Sequence, residues 1–232
     1  MSLNYEKILW FYNNIKNNET LTLKEGSDYR IDFVGGEAQW YCYTYTVFSK
    51  NFENDGVYRL AVHSEDAAGN ISENTLDTKN TELSFGVDKT EPNIVVANLE
   101  GSATYALDEL KVSMFISDNL LLNEVSVYLD DYSKAYKTWS AEEIAEIIAS
   151  DGEFSFDIAG DSTSAHNVKI VCIDAAGKEQ TEEITNFFVT TNLWVRYYTN
   201  KALFFGSIAG AVVLAGMLVF LVVYKKKKND NK

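Results

Sequence analysis

Histidine is the side chain best suited to carry protons near neutral pH, and the chain has two, His63 and His166. Ser-His-Asp catalysis needs three groups within hydrogen-bond reach, and acid–base work needs a positioned proton carrier. In Leu60-Ala61-Val62-His63-Ser64, strand alternation puts His63 on the face opposite Leu60, Val62 and Ser64. His166 begins a comparable strand in a separate part of the chain. Both are therefore expected to be structural, with no catalytic residues and no histidine-based metal site. Cys42 and Cys172 are the only cysteines, too few for a disulfide scaffold, and they fall in different modules.

Carboxylates are the remaining chemistry. Asp66 and Asp174 end matched segments, each followed by Ala-Ala-Gly. The expectation is that each aspartate accepts backbone N–H bonds while Gly69 or Gly177 takes positive φ to turn a hairpin. A sharper reading is calcium, which takes about six to eight oxygens. Asp66, Asp88, Glu91 and Asp118 flank the place where one module would meet the next, without the tight spacing of an EF-hand loop. Calcium is thus the single cofactor that the residues admit, and otherwise none is expected. Tyr41, Tyr43 and Tyr45 share one face of a strand, opposite Trp40, Cys42, Thr44 and Thr46. An exposed row would stack sugars; rings packed on a core with hydroxyls toward water are the commoner outcome and the expectation.

Internal similarity shows which elements must position these groups. Leu60 to Asn70 aligns without gaps on Val168 to Lys178, and a further strand follows each copy, Leu83 to Val87 and Ile184 to Val189. A period of about one hundred residues suits tandem domains rather than a solenoid. In the second repeat, β-rich runs are expected at Asn93 to Leu99, Leu110 to Ser117, Asn123 to Leu129, Lys134 to Trp139, Glu153 to Ile158, Val168 to Ile173 and Ile184 to Val189, the pattern of a two-sheet sandwich. Ser140 with Glu143 forms a capping box for one helix with Ile144, Ile147 and Ile148 as its apolar stripe, ended by Asp151-Gly152. That helix should cover an edge or end of the sandwich. The first repeat offers Lys7 to Tyr12, Glu19 to Leu23, Tyr29 to Val34, Trp40 to Phe48, Tyr58 to Ser64 and Leu83 to Val87, with nothing matching the two strands from Asn93 to Ser117. It is expected to be incomplete at its N-terminal side.

Gly56-Val57-Tyr58-Arg59-Leu60, then Asp66-Ala67-Ala68-Gly69-Asn70, then Phe85-Gly86-Val87-Asp88-Lys89-Thr90-Glu91-Pro92 resembles the junction of tandem bacterial immunoglobulin-like domains on Gram-positive surface proteins. The resemblance covers roughly Lys24 to Thr191 and implies β-sandwiches used as a stalk, spacer or adhesive module. Pro92 is the only proline, so no Leu-Pro-x-Thr-Gly sorting signal is present.

The C-terminal end is the strongest single signal. Ala202 to Tyr224 is uncharged and apolar, and Lys225, Lys226, Lys227 and Lys228 follow at once. As a helix it spans on the order of 35 Å, enough for a bilayer core of about 30 Å. Trp194, Tyr197 and Tyr198 precede it as headgroup-level rings, and the lysine excess places the C-terminus in the cytoplasm. Gly206 and Gly210, with Ser207, Ala211 and Ala215, form small-residue rows that would let two helices approach. Met1 to Lys16 has no apolar core of a secretory signal, so an export signal is expected upstream.

The formal net charge is −14, and the tail after Tyr224, with five lysines and Asp230, carries +4, leaving −18 before it. That acidity repels phosphate backbones and excludes nucleic-acid binding. The expected fold class is all-β: two immunoglobulin-like β-sandwich modules, residues 1–87 (truncated) and 88–192 (with one short helix), then a single transmembrane helix. Residues 193–201 are the juxtamembrane aromatic segment, 202–224 the membrane helix and 225–232 a basic cytoplasmic tail. The expected function is a non-enzymatic plasma-membrane protein with extracellular modules, a stalk or spacer for an upstream domain. The alternative is an adhesin-like module with a glycan or protein partner. The lipid bilayer is the one definite partner, and the sequence leaves the oligomeric state open.

Overall fold

Alternation of apolar and polar residues over short runs dictates strands, and strands dominate the computed structural model, which describes residues 6–13, 19–35, 42–65, 69–73, 83–160 and 163–230. The chain divides into two units. The first comprises Met1–Pro92 with Ser117–Asn123 and Ile173–Glu179; the second comprises Asn93–Ile116, Glu124–Cys172 and Gln180–Lys232.

In the first unit, β1 (Glu6–Asn13), β2 (Glu19–Leu23), β3 (Tyr29–Gly35), β4 (Cys42–Val47), β5 (Gly56–Glu65), β6 (Ile71–Glu73) and β7 (Leu83–Val87) form two sheets. One runs β2-β1-β5-β6, with β7 also pairing along β5; the other is the β3-β4 ribbon. All the pairings are antiparallel, with Phe11 opposite Leu60 and Tyr58 opposite Phe85. Leu23, Tyr29 and Tyr58 are buried, and Ile31, Tyr45, Val47, Phe52, Leu60 and Phe85 pack on them, so both sheets feed one core. Tyr58 stacks on Phe85 at 5.9 Å while Phe52 meets both rings edge-on. Its hydroxyl reaches out of this apolar packing to donate to the Asn54 carbonyl at 2.5 Å.

The later strands are β8 (Asn93–Val96), β9 (Thr104–Tyr105), β10 (Glu109–Ser117), β11 (Leu122–Leu129), β12 (Lys137–Trp139), β13 (Glu153–Ala159), β14 (His166–Asp174) and β15 (Glu179–Val189). They form sheets of order β13-β10-β8 and β12-β11-β14-β15-β9. Taking β8, β10, β11, β13, β14 and β15 as A, B, C, E, F and G, this is the immunoglobulin-like division of strands between two sheets. Leu110, Val112, Met114 and Ile116 of β10 and Phe154, Phe156 and Ile158 of β13 are buried, as are Val125 and Val127 of β11 and Val168, Ile170 and Cys172 of β14. Each set keeps the period of two that a sheet with one covered face requires.

The order β2-β1-β5-β7 parallels β12-β11-β14-β15, and the aligned segments Leu60 to Asn70 and Val168 to Lys178 fall on β5 and β14 with the turns that follow. Two short strands escaped the sequence pattern: β6, with three residues, and β9, with two residues parallel to the end of β15.

Helix α1 (Ala141–Ser150) starts on the expected capping box, with Ser140 N–H donating to Glu143 Oε2 at 2.8 Å and Glu143 N–H to Ser140 Oγ at 3.5 Å. It lies against β12 and β13, one edge strand of each sheet. Its buried stripe is narrower than expected: Ile144 is fully covered, whereas Ile148 is exposed. Helices α2 (Leu193–Thr199) and α3 (Lys201–Asp230) complete the chain.

Candidate functional site

Three aspartates from distant segments converge in the first unit. Asp88 follows β7, Asp118 follows β10 and Asp174 ends β14. One carboxylate oxygen of each lies within 4.8 Å of one oxygen from each of the others. Strand alternation accounts for two of them. Leu110 to Ile116 and Val168 to Cys172 turn every second side chain into the core, and Asp118 and Asp174 are the next positions of the same parity.

Asp174 is 1% exposed. Its Oδ1 accepts the backbone N–H groups of Ala176 and Lys178, both at 2.8 Å, across a turn in which Gly177 has φ +85°. Its Oδ2 is buried and accepts no hydrogen bond among the described residues. Asp118 repeats the arrangement: Oδ2 accepts Leu120 N–H at 2.8 Å, and Oδ1 is buried with no partner. Asp88 Oδ1 accepts Thr90 N–H at 3.1 Å.

Burial above all, then the charges of Asp118, Asp174 and Asp55, pushes the Asp88 carboxyl above the usual carboxylate range against the pull of the Thr90 N–H. No ion pair between described residues reaches Asp88, Asp118 or Asp174. At 4.8 Å two like charges repel by about 3 kcal/mol at an effective dielectric of about 20. The arrangement therefore calls for a positive charge.

Asp55, which the sequence did not single out, holds the surroundings in place. Its Oδ1 accepts Lys89 N–H at 2.8 Å, and its Oδ2 accepts the Thr90 hydroxyl at 2.5 Å and Asn119 Nδ2–H at 2.9 Å. One carboxylate thus fixes the residues directly after Asp88 and Asp118. The Thr90 hydroxyl bond, foremost among these, lowers the Asp55 pKa. Asp88 also lines a cleft of about 640 Å³ whose walls include Gly86, Asn119, Leu120 and Ala175.

The other expected residues fall as follows. Asp88 and Asp118 come together, but Glu91 is exposed and outside the cluster, and Asp66 lies outside the described residues. Asp174, expected only as a turn carboxylate, takes the third place, and the strand parity from Val168 onward was the signal for it. Gly69 and Gly177 both have positive φ, +83° and +85°. Tyr41 and the side chains of Cys42, Tyr43 and His63 lie outside the described residues; Tyr45 packs its ring 6.2 Å from Tyr29 in the core. His166 Nδ1 meets Asp130 Oδ2 at 2.8 Å, and Asp130 Oδ1 also accepts Asn167 N–H, tying the end of β11 to the start of β14. Cys172 is a buried thiol.

At the C-terminal end, Asn192 Oδ1 caps α2 by accepting Trp194 N–H at 2.9 Å, and Asn200 Oδ1 accepts Leu203 N–H at 3.1 Å at the start of α3. Trp194 is 77% exposed, and Tyr198 is also open to the surroundings. Tyr197 sits between Trp194 and Phe204, with its hydroxyl on Ser207 Oγ. Thr199 joins α2 to β9 through Thr104, Oγ1 to Oγ1 at 2.9 Å. Lys201–Lys226 is helical over 26 residues, and its most apolar stretch of 18, with mean hydropathy 2.5, is left unburied by the described residues. At 1.5 Å per residue the 26 residues reach about 39 Å, long enough to cross a membrane. The helix continues through Lys225, Lys226, Lys227 and Lys228.

No protein-family model and no curated protein matches the chain. Among solved structures it is similar to the fibronectin(III)-like modules of Clostridium thermocellum CbhA, at 13% identity over 80% of this chain and 80% of that one, with a TM-score of 0.33. A chimeric titin Z1Z2-Z1Z2 tandem matches at 13% identity over 81% and 91% of the two chains, with a TM-score of 0.30. Dpr2 Ig1-Ig2, solved in complex with DIP-Theta Ig1-Ig3, matches at 8% identity over 81% and 86%, with a TM-score of 0.22. The immunoglobulin-like character of strands β8 to β15 rests on their order and burial.

Proposed function

We propose that the chain is a non-enzymatic, single-pass plasma-membrane protein in which two immunoglobulin-like modules, residues 1–87 and 88–192, form an extracellular stalk or spacer. Residues 193–201 lie at the membrane surface, 202–224 cross the bilayer and 225–232 are cytoplasmic. The observation that carries this reading is the long apolar stretch of α3 that the described residues leave unburied, joined to the last strand β15 through only the short capped helix α2. Exposed Leu, Val, Ile and Phe over that length would drive aggregation in water, whereas lipid removes the penalty.

Two further observations support it. The parallel between the orders β2-β1-β5-β7 and β12-β11-β14-β15 favours two related modules. Lysines crowd the far end of α3, while only Arg196 and Lys201 stand close before its apolar run, favouring a cytoplasmic C-terminus. His166 is engaged with Asp130 at a strand end, a positioning contact that favours a structural role.

Limited protease treatment of intact cells tests the topology. The β-rich region should be digested from outside while an epitope after Lys232 survives; protection of the β-rich region until permeabilisation would overturn the reading. Replacing Lys225 to Lys228 with glutamine should yield a mixed orientation in a cysteine-accessibility assay.

A further inference from the structure

We propose that Asp88, Asp118 and Asp174 form a binding site for one calcium ion. The donor set is all oxygen and triply anionic, which selects a hard cation over zinc or copper. Ligands bound to one calcium ion at 2.3–2.6 Å from the metal lie no more than about 5 Å apart. The three carboxylate oxygens, within 4.8 Å of one another, meet that limit.

The second observation is independent of the clustering. Asp174 is 1% exposed, and its Oδ2 has no hydrogen-bond partner, while Asp118 Oδ1 is likewise buried and unpartnered. The large majority of buried side-chain polar atoms are hydrogen-bonded, because leaving one bare forfeits its hydration with nothing in return. Each aspartate has its other oxygen committed to turn N–H groups, Ala176 and Lys178 for Asp174 and Leu120 for Asp118. Those bonds orient the carboxylates and leave one oxygen of each for a ligand. Water supplies the remaining positions of the calcium shell, and Asp88, on the cleft wall, gives the ion its way in. A bound ion would cross-link three segments remote in sequence, so occupancy governs the stability of the first unit by mass action.

The test uses the full chain in detergent micelles at fixed ionic strength, so that screening of the acidic surface is constant. Calorimetric titration of the chelator-treated protein with calcium should show one site per chain, and calcium should raise the melting temperature reversibly. Asp88→Asn and Asp118→Asn should each weaken binding at least about tenfold, since each removes one of three anionic ligands. Their melting temperatures should also change sign relative to wild type: higher in chelator, where repulsion is relieved, and lower in calcium. Asp174→Asn keeps an acceptor for the turn and serves as a third variant if either of the others fails to fold. The proposal is overturned if wild type takes up no calcium, if magnesium or monovalent salt produces an equal stabilisation, or if calcium binding is unchanged in folded Asp88→Asn and Asp118→Asn proteins.

Discussion

Trp139 stands edge-on to Phe154, ring centroids 5.6 Å apart and planes at 88°, so that β12 of the five-stranded sheet meets β13 of the three-stranded one. Both residues are buried, and Lys137 Nζ lies 4.6 Å from the indole centroid while donating to the Ser155 carbonyl at 2.7 Å. The contact closes one side of the sandwich with two large rings in the favoured T-shape. Phe154→Ala should destabilise the sandwich by about 3–5 kcal/mol, and Phe154→Leu by less, because the cavity left behind is smaller. Equilibrium denaturation of the micelle-bound chain, followed by tryptophan fluorescence, measures both.

Beside that contact, α1 depends on its first turn. Ser140 and Glu143 satisfy each other's backbone N–H groups, so Ser140→Ala should cost about 1 kcal/mol, and Ser140→Asp should recover most of it. A denaturation midpoint unmoved by Ser140→Ala would show that packing of Ile144 alone holds the helix.

Gly177 and Gly160 should fail for different reasons. At Gly177 a Cβ would meet nothing within 4 Å, so the cost of Gly177→Val is backbone strain at φ +85°, about 1–3 kcal/mol. At Gly160 a Cβ would stand 2.5 Å from the Asp108 carbonyl oxygen and 2.6 Å from that of Leu107. The near atoms are all backbone of Leu107 and Asp108, with no flexible group to yield, so even Gly160→Ala should destabilise. Gly177→Asn should be milder than Gly177→Val, because asparagine tolerates positive φ; no such rescue is expected at Gly160.

Asp28 should shape the acid limb of stability. Lys24 N–H, then Lys50 and Ser27, hold its carboxyl at about 2, below its ordinary value. A depressed folded pKa means that the stabilisation is complete above the ordinary carboxylate value and is lost as pH falls from about 4 through 2. Wild type should therefore lose melting temperature more steeply than Asp28→Asn on acidification below about pH 4, with the two curves parallel near neutrality. Both proteins share the aspartate cluster, so their difference isolates Asp28.

Much of the architecture was legible in short stretches of sequence. Glu19 to Leu23 and Leu83 to Val87 are strands at the expected residues, the capping box at Ser140 is real, and the apolar length from Ala202 to Tyr224 is one continuous helix. These features depend on neighbours a few positions away, through alternation, caps and uninterrupted hydrophobicity. Helix α2 carried a readable cap in Asn192 but was hidden by its brevity, and β9 is a strand only because β15 runs beside it. Tertiary structure alone decided which carboxylates meet. Asp174 lies 86 positions from Asp88 and 56 from Asp118 along the chain, and the strand parity that marks it is shared by Asp66, which follows Leu60, Val62 and Ser64. Asp174 joins the other two because β10 and β14 both carry their core-facing parity one step beyond the last apolar residue, into an aspartate. Asp55 became their support, and Gly160 indispensable, for the same reason: each answers to backbone or side-chain groups that only the folded chain brings within bonding or clashing distance.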